Sequence, residues 1–223
     1  MDANRKLWNQ GQKEMQYALE RSGDHVMAVK LFLSQHAMVH SASMSESSLW
    51  SFEDEVVQGM TEEGIRCVPQ KCEHSVAWII WHLARIEDIT MNLLVAGSPQ
   101  VLYRGGWFDR IKAPIHHAGN IMDQEAVTDL STAVDVGALL AYRRAVGRRT
   151  RDIARELQTG ELEQKTDPAR LSQVGNEGAV VEDAREIIDY WSKRTVAGLL
   201  LMPATRHSFL HLNEARRVKD KVL

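Results

Sequence analysis

His207 and His211 stand four residues apart in the segment Thr205-Arg-His-Ser-Phe-Leu-His-Leu-Asn-Glu-Ala. On a helix this spacing stacks two imidazoles on one face, one turn apart, where both can reach a single transition-metal ion. With a third protein ligand, such a pair makes a site that keeps a coordination position open for chemistry. His82, in Ala77-Trp-Ile-Ile-Trp-His-Leu-Ala-Arg-Ile-Glu-Asp, is the candidate third ligand. Neutral imidazole suits zinc, nickel, iron and copper. Plainer readings stay open at this point. A histidine pair at this spacing also arises by chance, and His36 and His40 form a second one. A lone histidine on an apolar helix, such as His82, is also satisfied by a hydrogen bond to a carbonyl.

Other chemistries are excluded more firmly. Position 208 is Ser where a zincin helix carries Glu. No histidine has Glu three residues before it, as a di-iron carboxylate bundle requires. There is no phosphate loop, dinucleotide fingerprint or nucleophile elbow. Cys67 and Cys72 are too few for a disulfide framework, and their spacing without a second pair is poor evidence for zinc; they are expected to be reduced and structural. Trp78 and Trp81 are expected to form core and cavity wall. Arg85, one turn from His82, suits either an anionic substrate group or an ordinary surface or interface ion pair. Glu87 and Glu214 read as salt-bridged helix residues, and His116 and His117 as solvent-exposed loop residues.

The elements that must position these histidines follow from apolar periodicity and stop signals. A polar, helix-compatible segment over 4–20 is expected to be mobile or packed by a partner. Ser22-Gly23-Asp24 offers a break with N-cap candidates, and a helix then runs to about position 40. Ser43 and Glu46 stand at capping-box spacing, ahead of a short helix over 49–59. The strongest helix spans 75–96, with Ser75 as cap and Gly97-Ser-Pro as stop; it is apolar on several sides and hence central. An irregular stretch over 98–132 follows, with room for a short helix near 123–130. A third long helix covers 135–157. A polar link over 159–178 leads to a last helix over 181–222, in which Pro203 should introduce a kink just before His207. The pattern predicts an all-α four-helix bundle with a long crossover loop and an extra N-terminal helix: an extension over 1–21 and a bundle domain over 22–223.

The chain has 223 residues, 44% hydrophobic and 26% charged, with a formal net charge of −3. Its basic residues are scattered among acids, which argues against nucleic acid as a partner. No apolar run reaches membrane-spanning length and the N-terminus is polar, so the expected location is cytoplasmic.

Three segments together resemble the DinB-like family of metal-dependent enzymes: Gln35-His-Ala-Met-Val-His-Ser, Ser75-Val-Ala-Trp-Ile-Ile-Trp-His-Leu-Ala-Arg-Ile-Glu-Asp, and Thr205 to Ala215. The likeness spans roughly 25–220. It implies an up-down-down-up four-helix bundle and a divalent metal held by His82, His207 and His211. It carries no implication of DNA polymerisation. Relatives in that family include enzymes that transfer bacillithiol to electrophiles and others that use mycothiol to isomerise maleylpyruvate. A low-molecular-weight thiol therefore joins the expected cofactors, beside zinc or nickel, with manganese or iron as further options. Thiol-using relatives often carry a double histidine at the first motif and more histidines in the last helix; this chain has Trp81-His82 and a sparser last motif. His40 is the candidate general base or supporting donor from the first bundle helix.

The expected function is thus a metal-dependent transferase or hydrolase acting on a small molecule, working as a homodimer. The alternatives are a non-catalytic binding or stress-response bundle with a vestigial metal site, and a structural dimer module built on the N-terminal helix.

Overall fold

The computed structural model describes residues 2–21, 23–45 and 47–223. The cap candidate Ser22 and the capping-box acid Glu46 lie outside them. Among the described residues the chain is helical and contains no strand. Six elements carry the architecture: α1 (Ala3–Glu20), α2 (His25–Met38), α3 (Val76–Asp88) prolonged by a π-helical segment (Ile89–Ala96), α4 (Val136–Glu156), α5 (Val196–Leu201), and α6 (His207–Val222), joined to α5 by a second π-helical segment (Met202–Arg206). No helix of the described residues is long and apolar enough to cross a membrane.

Side-chain caps set several of the starts. Asp24, Ser75 and Asp135 accept hydrogen bonds from the backbone N–H of Met27, Trp78 and Ala138, satisfying donors that a helix N-terminus leaves free. Gly97, with φ +61°, closes the long central helix in the left-handed conformation that favours glycine. The 75–96 reading thus holds in extent, but its last two turns are π-helical. There the Thr90 hydroxyl donates back to the Ile86 carbonyl at 2.7 Å, and the Ser98 N–H reaches Asn92 O.

Three expectations about the chain's course are corrected. The first helix is not loose but packs on its own chain: the Trp8 ring is fully buried and stacks on Phe209 at 3.7 Å, and α1 lies along α2. The 98–132 stretch is less irregular than expected: besides the helix allowed near 123–130, which runs over Gln124–Ala133, it holds helices at Val101–Arg104 and Trp107–Ile111, and the 159–178 link holds one at Pro168–Asn176. The last helix is not continuous. After Glu186–Ser192 the chain leaves the helix, because Thr166 N–H bonds to Arg194 O and Val196 N–H to Gln164 O; Thr195 then caps α5. At Pro203, which has no N–H to give, the backbone widens into the second π segment, and the Thr205 hydroxyl donates to Leu201 O at 2.8 Å.

The buried apolar residues form two clusters, one around Trp8, Phe52, Trp81 and Phe209, the other around Phe32, Ile89, Trp191 and Leu200. Where each bundle helix passes from one cluster to the other, it carries buried polar side chains: His36 on α2, Arg85, Glu87 and Asp88 on α3, Arg143 and Thr150 on α4, and Thr205 and Ser208 near the start of α6. A polar layer therefore crosses the bundle, and the candidate site lies against it.

Candidate metal centre

The three histidines singled out by spacing meet. His82 comes from α3, His207 and His211 from the first turns of α6, and one ring nitrogen of each lies within 4.8 Å of the others. The Nε2 atoms of His82 and His207 are 3.2 Å apart. His82 is buried, while His207 and His211 are half-buried.

The orientation of His82 comes from the crossover stretch. Successive carbonyls of that stretch accept from three side chains of α3: His116 O from Arg85 Nε at 3.0 Å, His117 O from Trp81 Nε1 at 3.2 Å, and Ala118 O from His82 Nδ1 at 2.7 Å. The turn is held by the Gly119 N–H, which donates to His117 Nδ1 at 3.0 Å, with Gly119 at φ +82°. A carbonyl can only accept, so His82 carries its proton on Nδ1 and turns a bare Nε2 to the other two rings. The hydrogen bond to a carbonyl foreseen as the plain account of His82 thus exists, and it is what leaves the other nitrogen available. Trp78 stacks on His82 at 4.8 Å and forms the wall beside it, as expected of that tryptophan.

His211 is oriented by a carboxylate. Its Nδ1 donates to Glu214 Oε2 at 2.8 Å, and the second oxygen accepts from His74 Nδ1 at 2.7 Å. Burial pushes the Glu214 carboxyl up, but the hydrogen bonds from His211 and His74 outweigh it and hold it at about 2. The group is therefore an ionised acceptor at neutral pH, and His211 too presents Nε2. A histidine that donates its second N–H to a carbonyl or carboxylate is the usual preparation of a metal ligand. His74, which also stacks on Trp78 at 3.6 Å, escaped the sequence reading because nothing in spacing links position 74 to 214.

His207 differs. Its Nδ1 is buried without a partner, and its Nε2 faces the bare Nε2 of His82. Two such nitrogens at 3.2 Å need a proton or a cation between them. Burial, then the neighbouring His211 charge, drives the His82 imidazolium down to about 3; burial and then His82 drive His207 well below its ordinary value. All this favours neutral rings, the form that ligates a metal. The donor set fits a divalent first-row ion.

Behind this cluster lies a second group, His36, His40 and Glu87, wholly buried. Glu87 accepts from His36 Nε2 at 2.8 Å, from His40 Nε2 at 2.9 Å and from Arg143 Nη1 at 2.7 Å. Burial alone would raise the Glu87 carboxyl, yet His40, His36 and Arg143 hold it well below the ordinary range. Arg143 also reaches Ser208 Oγ at 3.1 Å, next to His207, and Glu53 at 3.4 Å. Here each histidine spends Nε2 on the carboxylate, and neither Nδ1 has a partner. The arrangement is the reverse of that at His82 and His211, and it makes this group an ion-pair network tying all four bundle helices together rather than an equal metal site. His40 is consequently aimed at Glu87 and stays apart from the three-histidine cluster. Glu87 is salt-bridged as expected, but at the centre of the molecule. Arg85 is no surface residue: it is fully buried between Asp88, Tyr142 and His116 O. The side chain of His116 is exposed and that of His117 half-buried; both contribute carbonyls, and His117 also accepts the Gly119 N–H on its ring. Cys67 and Cys72 are free.

His207 also lines a cavity of about 370 Å³, with Ile86, Asn120, Trp191 and Pro203 among its walls. No curated protein matches the chain. A sequence model of the DinB superfamily matches residues 53–215, a span that contains His82, Glu87, Arg143, His207, His211 and Glu214. With an all-helical bundle that converges three histidines where the motifs predict them, and with this match over most of its length, the chain belongs to the DinB superfamily.

Proposed function

We propose that this protein is a metal-dependent enzyme acting on a small molecule, with His82, His207 and His211 as ligands of one divalent ion, zinc or nickel by preference and manganese or iron as alternatives. The observation that carries the reading is the pinning of His82 and His211 through Nδ1, by Ala118 O and Glu214, so that Nε2 of each is turned to a common point beside Nε2 of His207. A bound ion at such a site supplies Lewis acidity and draws the pKa of a water or thiol toward neutrality.

The chain's own residues do the rest. Trp78 and the Ala118 carbonyl keep His82 in place, buried from bulk water. The cavity beside His207 receives the substrate. His40 serves as a positioning residue, through Glu87 and Arg143, and not as a base on the substrate. Three protein ligands leave room for a nucleophile, either a low-molecular-weight thiol or water, giving a transferase or a hydrolase. The working form in this reading is a cytoplasmic homodimer; the exposed Tyr17, Val26 and Met27 on α1 and α2 suit such a contact, and sedimentation of the purified chain tests it.

The test is elemental analysis of untagged protein beside the double variant His207→Ala/His211→Ala. About one metal per chain, lost in the variant with helicity retained, is expected. No metal in the wild type after reconstitution with zinc, nickel and manganese would sink the enzyme reading and leave a non-catalytic bundle.

A further inference from the structure

The neutral ring of His82 has two ways to place its proton, and only one of them can take a metal. With the proton on Nδ1 it donates to Ala118 O at 2.7 Å and leaves Nε2 bare. With the proton on Nε2 it would donate to His207 Nε2, which already stands 3.2 Å away. The two ligand nitrogens would then be spent on each other. What decides between these forms is whether Ala118 O stays within reach of Nδ1.

Ala118 belongs to the crossover between α3 and α4, and that stretch is fastened to the last turn of α3 at two points. Asp88 is fully buried. Its Oδ1 accepts from the Val101 N–H at 2.8 Å and its Oδ2 from the Leu102 N–H at 2.9 Å, which fixes the entry of the crossover. Oδ2 also accepts from the Tyr142 hydroxyl on α4 at 2.7 Å and from Arg85 Nη1 at 3.4 Å. Arg85 Nη1 donates to the Tyr142 oxygen as well, at 3.1 Å, so the guanidinium is held on two sides. Its Nε then reaches His116 O at 3.0 Å, just before Ala118. A planar guanidinium gripped in this way cannot follow the loop, so the loop must follow it. The register of carbonyls 116, 117 and 118 against Arg85, Trp81 and His82 is thereby set from a carboxylate about two turns beyond His82 along the helix.

We propose that Asp88, Arg85 and Tyr142 are positioning residues of the metal centre: they hold the crossover in the register that keeps the His82 proton on Nδ1, and so prevent His82 and His207 from blocking each other. The purpose of this clamp rests on the metal-enzyme reading, but the tautomer itself does not.

The test locates the proton in the metal-free full chain at pH 7.5. Protein carrying nitrogen-15 histidine is examined by long-range proton–nitrogen spectra, with His82→Gln to assign the resonances. Wild type should show His82 protonated on Nδ1. Arg85→Lys keeps the charge but loses the planar fork, and Tyr142→Phe removes one hydroxyl. In both, the nitrogen shifts of His82 should report a mixture with the Nε2–H form, more of it in Arg85→Lys. Zinc affinity, measured by competition with a chelator, should fall by the same factor as the Nδ1–H fraction, about five-fold for Arg85→Lys, because only that fraction is ready to bind. Ile153→Ala hollows a buried part of α4 away from this network and controls for simple destabilisation; it should leave the His82 shifts unchanged. Circular dichroism checks that each variant is folded. Nε2–H in the wild type, unchanged shifts in both folded variants, an equal change in Ile153→Ala, or a shift with no loss of affinity in protein that binds zinc would each overturn the proposal. A mixture in the variants with zinc bound by no form, wild type included, would support the clamp and sink the metal reading, so the two fail separately.

Discussion

Glu214 is the most telling residue to change. Its two oxygens accept from two histidines, His211 Nδ1 at 2.8 Å and His74 Nδ1 at 2.7 Å. Glu214→Gln keeps the shape but leaves one accepting oxygen and puts an NH₂ where the other was. One charge-assisted hydrogen bond, worth about 1.5–3 kcal/mol, is lost, and the other becomes a neutral one of about 0.5–1.5 kcal/mol. The His74 share is present with and without metal and largely cancels. What remains for binding is the loosening of the His211 tautomer and ring orientation, about 1–2 kcal/mol. Zinc affinity should therefore fall roughly five- to thirty-fold, overlapping the usual range of about 10–100-fold for outer partners of metal ligands. Competition against a chromophoric chelator at pH 7.5 measures it, with circular dichroism as a check on helicity. An affinity within two-fold of wild type in a folded variant would refute the argument that the carboxylate prepares His211 as a ligand.

Three further outcomes follow from the packing. Trp8→Ala removes a fully buried ring stacked on Phe209 and should cost about 3–5 kcal/mol in urea unfolding; a loss below 1 kcal/mol would mean that α1 is not part of the cooperative core. Gly147→Ala places a Cβ 2.8 Å from the His40 ring and 3.0 Å from Met44, so it should destabilise by about 1–3 kcal/mol, although alanine is the better helix former; a more stable variant would contradict the close approach of α4 to His40. Stability should also depend on pH through the polar layer, with opposite signs for two groups. Burial pushes the Glu53 carboxyl from 4.5 to about 7, so its contribution is fully present below pH 4.5 and is lost as pH rises through 7, on the order of 3 kcal/mol. Burial and then the Arg143 charge push His40 from 6.5 to about 3, so its contribution is present above pH 6.5 and is lost as pH falls toward 3. Urea titrations at pH 5, 6, 7 and 8 should show Glu53→Gln flattening the decline on the alkaline side; parallel curves for variant and wild type would count against the assignment.

Much of this was legible without coordinates, for identifiable reasons. Ser75, Gly97 and Asp135 mark helix ends because capping is local chemistry: a side chain and a backbone group within three or four residues. The four-residue step from His207 to His211 needs only the helical period to put both rings on one face. Asp167-Pro168 carries an equally local start signal, an acid cap before a first-turn proline, but the polar surroundings of the helix it begins mask the apolar period.

Other features depend on contacts between distant segments. The break before α5 arises from backbone bonds between 164–166 and 194–196, and of the residues around it only the cap Thr195 is a local signal. The same holds for His74 beside Glu214, for Glu87 at the centre of an ion-pair network drawn from four helices, and for the choice between two histidine pairs of equal spacing. What distinguishes His207 and His211 from His36 and His40 is which nitrogen each ring has free. His36 and His40 spend Nε2 on Glu87, whereas His207 and His211 keep theirs off any carboxylate, and only the packed helices decide which ring meets one. Helical periodicity and capping act within a few residues and are therefore determined by the sequence itself. The tautomer of an imidazole is set by its hydrogen-bond partner, and here only the tertiary structure supplies that partner: for His82, a carbonyl 36 residues away.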